Sequence, residues 1–151
     1  MATLNINVAV AVLLALSNFG SSSADIRVDY LDPAKNRIET LRIVSTRAGR
    51  YDLLTKREGE WLKTGEVAAV PGRKSVYQFG EPGVGQPIDL AAVISGFHAA
   101  SDRSRHDVSF EARLGKETVK LRQVRSGDVI HLLDVEGRTA FVLHATRQRG
   151  N

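Results

Sequence analysis

The sequence predicts one small all-β domain over residues 25–151, mainly antiparallel, with one short helix near residues 88–98. Three observations support this fold class. Apolar and polar residues alternate over many short segments, and turns that contain glycine separate these segments at short intervals. The chain of 151 residues also lacks cysteine, so an apolar core rather than disulfides must stabilise it. The pattern is typical of a meander-rich sandwich or a small barrel and does not distinguish the two.

The first 24 residues carry no charged side chain, and the run from Val8 to Leu16 is continuously apolar. Such a run is too short to span a bilayer as a helix, which takes about 20 residues. It has the length of the apolar segment of a signal peptide, although no lysine or arginine precedes it. Ser22 and Ala24 are small enough for the two subsites of a signal peptidase. We therefore expect residues 1–24 to be a cleaved signal peptide.

The same segment has a second interpretation, as part of the fold. Between Leu4 and Val12 every second residue is apolar, and most of these residues are β-branched, which is typical of a strand. An integral strand or helix is thus the alternative to a signal peptide. The two interpretations predict different locations: the periplasm or the extracellular space for a cleaved chain, and the cytoplasm for an uncleaved one.

Strands joined by tight turns are predicted from residue 25 to residue 79, beginning with the alternating apolar residues Ile26, Val28 and Tyr30. A turn at Glu58-Gly59 would place Lys56 opposite Trp61, where the two can form a cation–π contact at the surface. The other segments of strand length are 38–46, 50–57, 60–70 and 73–79, and the other turns with glycine are Ala48-Gly49 and Pro71-Gly72.

A loop rich in glycine and proline, residues 80–87, interrupts the strands because no strand ladder can run through it. The segment after it has a different period, and its apolar residues recur at the spacing of one helix face. Pro87 suits the start of a helix, while Gly96 weakens its end. We therefore expect a helix over residues 88–98. The apolar residues at helical spacing are Leu90, Val93, Ile94 and Phe97.

Two hairpins are predicted in the last third of the chain. With a turn at Gly115-Lys116, the apolar residues of 108–114 and 117–123 share one face, and Glu111 lies opposite Lys120 on the other. The second hairpin would pair residues 128–135 with residues 138–146 around a turn at Glu136-Gly137.

The second hairpin brings two histidines to the same face of the sheet. With the turn at Glu136-Gly137, His131 and His144 are diagonal neighbours, and a one-residue slip of the turn would make them directly opposite. Two imidazoles at this separation can supply half of a zinc or copper site. Spacing marks no further ligand, and two polar rings on a partly exposed face explain the pattern equally well. The residues that could complete the site are His106, Asp107 and Asp134.

Other catalytic patterns are weak. His98 and His106 flank Asp102, with three serines nearby, so the components of a hydrolytic site are present in one loop. The sequence contains no G-x-S-x-G elbow, S-x-x-K motif, phosphate-binding loop or H-E-x-x-H motif. A solvated loop accounts for the same residues, and no cofactor is predicted.

The formal net charge of +4 comes mainly from arginine, and acidic residues are interleaved with the basic ones. Two local basic clusters could contact an anionic surface or an acidic partner. Nucleic-acid binding is disfavoured because neither cluster contains an aromatic side chain that could stack on a base. The arginines of these clusters are Arg103 and Arg105 in one and Arg147 and Arg149 in the other.

These observations favour an exported, non-enzymatic binding or assembly module that acts through a sheet surface or through an open sheet edge. Its partner would be a protein or a component of the cell envelope. The first alternative is a metal-binding or hydrolytic protein centred on His131 and His144. The second is a carrier of a small apolar ligand, with a cavity lined by inward residues such as Phe110 and Leu121.

Overall fold

The structure, a computed structural model, describes residues 6–19, 25–32, 36–47, 49–80, 87–102, 104–127 and 129–146. Within these ranges the chain forms one antiparallel sheet of eleven strands and three helices. The sheet is not closed. The predicted fold class, mainly antiparallel β with a short helical segment, is therefore confirmed.

The sheet consists of two meanders that meet at its centre. The central strand β1 pairs with β2 on one side and with β11, near the other end of the chain, on the other. The chain runs from β1 outward to β6 at one edge, and β7 to β11 return from the opposite edge. The strands are β1 (Asp25–Asp32), β2 (Arg37–Arg47), β3 (Arg50–Arg57), β4 (Glu60–Ala69), β5 (Val76–Phe79), β6 (Pro87–Asp89), β7 (Ile94–Ser95), β8 (Asp107–Leu114), β9 (Glu117–Ser126), β10 (Val129–Leu133) and β11 (Thr139–Thr146).

The hairpin of β3 and β4 turns as its sequence predicts. Glu58 and Gly59 both have positive φ, 52° and 83°, as a two-residue turn of type I′ requires. Lys56 therefore pairs with Trp61, and its Nζ lies 5.8 Å from the centre of the indole ring. The predicted cation–π contact is confirmed.

The predicted register of β8 and β9 is also confirmed. Phe110 pairs with Leu121 on the buried face, and Glu111 pairs with Lys120 on the other face. The carboxylate of Glu111 nevertheless binds the guanidinium of Arg113 on its own strand, with Nε at 2.9 Å from Oε1. Cross-strand position thus predicts the neighbours correctly, but the ion-pair partner of Glu111 is Arg113, two residues along the same strand.

The helical segment predicted over residues 88–98 is present but divided. Helix α2 (Leu90–Val93) starts at Asp89, whose carboxylate accepts a hydrogen bond from the backbone N–H of Ala91 at 3.0 Å. The chain then extends, so that Ile94 pairs with Ala112 of β8. Gly96, with φ of 82°, redirects the chain into α3 (Phe97–Ser101). The apolar side chains keep their inward positions, but the ladder with β8 and the left-handed glycine prevent one continuous helix.

The N-terminal segment forms a helix, α1 (Ile6–Phe19), rather than a strand. Its middle, from Val8 to Leu16, is apolar on all sides, and from Val10 to Ala15 no residue is more than 1% exposed. A helix that is apolar all round has to be enclosed by other parts of the protein or by lipid. Here it packs against β1, β9, β11 and α3 and belongs to the single apolar core. None of the described helices has the length and hydropathy needed to cross a bilayer.

Candidate functional site

The face of the sheet against which α1 packs, hereafter the inner face, carries the apolar core of the protein. Cross-strand pairing aligns its side chains in rows, such as Val28 with Leu143 and Leu143 with Ile130, each of them 0% exposed. Helix α1 fills the space along this face. Phe110 and Leu121, predicted to line a cavity, are buried in the same core.

Two polar side chains interrupt the inner face, and both belong to β9. Gln123 pairs with Leu132, and Arg125 pairs with Ile130, so both lie in rows of apolar residues. Their exposed fractions are only 1% and 7%. Gln123 donates a hydrogen bond from Nε2 to the carbonyl oxygen of Ala100 at 2.7 Å.

The guanidinium of Arg125 binds α1 itself. Its Nη2 donates to the side-chain oxygen of Asn18, which lies in the last turn of the helix and is also buried. Asn18 in turn donates from Nδ2 to the carbonyl oxygen of Leu14 at 2.9 Å. The backbone N–H of Arg125 donates to the carbonyl oxygen of His106 at 2.8 Å, which ties β9 to the loop before β8.

The sequence contains a signal for this polar pair, although the residue patterns considered above do not include it. Alternation along β9 puts Gln123 and Arg125 on the face of Leu121, which is buried. Polar residues at core positions of a strand are rare unless they have buried partners. The partner of Arg125 lies more than 100 residues earlier in the chain, and local patterns do not reveal such a contact.

The two histidines lie on the opposite face of the sheet. His131 pairs with Val142 and His144 with Val129, so they are diagonal neighbours, as predicted. The turn itself differs from the predicted one, because the register shifts between Leu132 and Leu133 and Leu133 pairs with Thr139. The structure adds Asp29 of β1, whose Oδ2 is 3.4 Å from Nε2 of His144. That contact arises from the pairing of β1 with β11.

Other potential ligands are engaged elsewhere. Asp107 lies in the same row as His131, but its carboxylate binds Arg122, with Oδ2 at 2.6 Å from Nη2, and this ion pair lowers the pKa of Asp107. Asp134 accepts hydrogen bonds within its own turn. In the part of the chain that the structure describes, no three histidine or acidic side chains form a metal-binding group. Metal binding at His131 and His144 stays a prediction.

The loop that contains the components of a hydrolytic site has a local structural arrangement. Asp102 accepts hydrogen bonds at Oδ1 from the backbone N–H of Ser104 at 2.9 Å and from its hydroxyl at 2.7 Å. The backbone hydrogen bond is the main reason that the pKa of Asp102 is lowered. Ser101 donates to the backbone carbonyl of His98 at 3.3 Å. Asp102 and the two serines thus form turn interactions rather than an arranged triad.

The predicted basic clusters are only partly within the described residues. Arg103, Arg147 and Arg149 lie outside them. Arg105 is exposed, and its backbone N–H donates to the carbonyl oxygen of Asp102 at 3.1 Å. The proposed anion contacts of these arginines stay predictions.

The face of the sheet opposite the inner face, hereafter the outer face, also carries a groove that the sequence does not predict. A register shift between Leu53 and Leu54 disrupts the β3–β4 ladder. The guanidinium of Arg42 forms an ion pair with Asp25. Its central carbon lies 5.0 Å from the ring centre of Trp61. Beside this cluster is a groove of about 320 Å³, whose lining includes Arg27, Thr40 and Lys56.

The outermost strands of the sheet give little backbone for strand addition, whereas β4 pairs with β5 only from Val67 to Ala69. The edge strand β6 has three residues and begins with Pro87, which has no N–H to donate. The opposite edge strand, β7, has two residues. The free side of β4 beyond β5 carries Lys63, which binds both Asp52 and Glu66. Short strands and charged side chains of this kind protect an edge against pairing with another chain.

Comparison with known proteins gives no further assignment. No protein-family model matches the chain, and neither a curated protein nor a solved structure matches it.

Proposed function

We propose that the protein is an exported, non-enzymatic binding module whose binding surface is the inner face of the sheet. In this proposal residues 1–24 act as a signal peptide, and their removal takes α1 out of the core. The inner face then becomes the site for an apolar ligand. One observation carries the proposal: the segment with the features of a signal peptide forms a helix whose apolar residues belong to the core of an open sheet.

The inner face is a better candidate than the sheet edges. The edge strands β6 and β7 are too short to guide an added strand over several residues. The inner face offers a continuous apolar surface along several strands, of the kind that binds apolar ligands. The surface mechanism is therefore favoured over edge pairing.

The cleaved chain has a physical need for a ligand. Each large apolar side chain that loses its cover and becomes exposed to water costs about 1.5–3 kcal/mol. Removing α1 would uncover many such side chains, among them Ile26, Val28 and Leu143, which are 0% exposed. An apolar molecule in the position of α1 restores this burial. A cleaved chain with no such ligand would have to collapse or associate.

The first experiment is the intact mass of the protein recovered from its native host, combined with fractionation of the cells. The proposal expects a mass that corresponds to a chain beginning at Asp25, found outside the cytoplasm. The matched control is Ala24→Arg, which places a large charged side chain at the cleavage site and should leave the full-length mass. A full-length mass of the unaltered protein in the cytoplasm would contradict the proposal, because α1 would then be a permanent part of the core.

A further inference from the structure

Arg125 marks one end of the inner face. Asn18, its partner, is in the last turn of α1, a helix of 14 residues. With a rise of about 1.5 Å per residue, such a helix extends about 21 Å. The space that α1 fills is thus long and narrow, with the guanidinium near one end and apolar side chains along the rest.

Arg125 also lies close to an exposed loop. Its backbone binds His106, and its charge is one of the minor influences that lower the pKa of Asp102. Asp102 and His106 are both exposed. A polar group bound to Arg125 would therefore lie near the surface, while a chain attached to it would run inward along the sheet.

A buried guanidinium needs an acceptor. Arginine stays protonated in proteins, and a buried charge without hydrogen bonds is strongly unfavourable. In the full-length chain the side-chain oxygen of Asn18 is one such acceptor. Cleavage after Ala24 removes Asn18 together with α1. An anionic group in the place of the Asn18 side chain would accept a hydrogen bond from the same Nη2, and such a charge-assisted bond is stronger than the one to the amide oxygen.

We propose that the ligand of the inner face is an acyl chain with an anionic head group, whose head binds Arg125 and whose tail takes the place of α1. This inference rests on the proposed function and specifies its ligand. A carboxylate matches the planar donors of a guanidinium and can accept two parallel hydrogen bonds. The tail replaces the apolar side chains of α1 in the contacts with β1, β9 and β11.

The test compares two ligands that differ only in the head group. Protein recovered from its host after processing carries its own ligand, so the affinities for hexadecanoate and for hexadecanol are compared by displacement calorimetry. We expect hexadecanoate to bind about tenfold to a hundredfold more tightly, the usual effect of a hydrogen bond to a charged group. Arg125→Met should remove this preference and leave the affinity for hexadecanol nearly unchanged.

Arg122→Met is the matched control. Arg122 lies on the same strand, carries the same charge, is exposed and pairs with Asp107 on the other face. This variant should keep the preference for hexadecanoate. If Arg125→Met does not fold, Arg125→Lys replaces it. Lysine keeps the charge but loses the two parallel donors, so a reduced preference for hexadecanoate is expected.

The outcomes separate this inference from the proposed function. Processed protein that binds both ligands equally, or that keeps its preference in Arg125→Met, would overturn the role of Arg125 and leave the inner face as a binding surface. Processed protein that binds neither ligand would overturn the acyl-chain assignment. A full-length mass in the cytoplasm would overturn the proposed function itself.

Discussion

The carboxylate of Asp134 connects the ends of the turn between β10 and β11. Its Oδ1 accepts hydrogen bonds from the backbone N–H groups of Glu136 and Arg138, at 2.9 and 3.0 Å, and its Oδ2 accepts from Arg138 Nε at 3.1 Å. These donors favour the ionised form. The pKa of Asp134 is therefore below its ordinary value of 3.8, with the backbone N–H of Arg138 as the main cause.

The sign of the pH dependence follows from this lowered pKa. Asp134 contributes stability above its unfolded pKa, and this contribution is lost as the pH falls through the folded pKa. We expect Asp134→Ala to lower the midpoint of urea unfolding at about pH 7 and to have a much smaller effect at about pH 2. Asp134→Asn is the control: its oxygen still accepts from the backbone, so it should destabilise the protein less at neutral pH. An equal loss for Asp134→Ala at both pH values would contradict this account.

The turn of the β3–β4 hairpin gives a prediction at the scale of one element. Glu58 occupies a left-handed conformation, which a residue with Cβ adopts at a cost of about 1–2 kcal/mol, and Gly59 avoids this cost. A Cβ added at Gly59 would meet no atom within 4 Å, so strain in Gly59→Ala comes from the backbone alone. We expect Gly59→Ala to reduce the free energy of unfolding by about 1–2 kcal/mol. Glu58→Asn should raise it by up to about 1 kcal/mol, because asparagine tolerates this conformation.

These two variants are compared by urea denaturation with Trp61 fluorescence, since Trp61 is the single tryptophan of the chain and lies in the same hairpin. A Gly59→Ala protein as stable as the unaltered one would contradict the assigned turn type. If Glu58→Asn stabilised the protein while Gly59→Ala did not lower its free energy of unfolding, the turn type would also be contradicted, since both effects depend on positive φ.

Elements that depend on neighbours in sequence could be predicted, and those that depend on distant partners could not. The registers at Glu58-Gly59 and at Gly115-Lys116 follow from turn chemistry and alternation, and the structure confirms them. The pairing of β1 with β11 joins residues about as far apart as the chain allows, and no local pattern specifies it. It is this pairing that brings His144 to Asp29. The position of α1 is equally non-local, because a helix that is apolar all round from Val8 to Leu16 has no preferred face that would indicate its neighbours.

At the scale of the whole molecule, one core joins α1 to both meanders of the sheet. Leu13 of α1 and Leu132 of β10 are exposed by only 1% and 0%. In the full-length chain, Leu13→Ala and Leu132→Ala should each lower the free energy of unfolding by about 2–5 kcal/mol, as expected when a buried leucine leaves a cavity. Chemical denaturation of full-length protein carrying Ala24→Arg, which blocks cleavage, measures both effects in the same background.

The same pair of variants distinguishes the full-length core from that of the cleaved chain. Protein that begins at Asp25 no longer contains Leu13, so Leu13→Ala cannot alter it, while Leu132→Ala still removes an inner-face side chain. An effect of Leu132→Ala without an effect of Leu13→Ala in the full-length chain would mean that α1 does not occupy the core. In cleaved protein, hexadecanoate should raise the free energy of unfolding of the unaltered sequence more than that of Leu132→Ala. The reason is that the ligand contacts the Leu132 side chain, and the variant lacks this contact. If hexadecanoate stabilised the unaltered protein and Leu132→Ala equally, the ligand would not contact the inner face at Leu132.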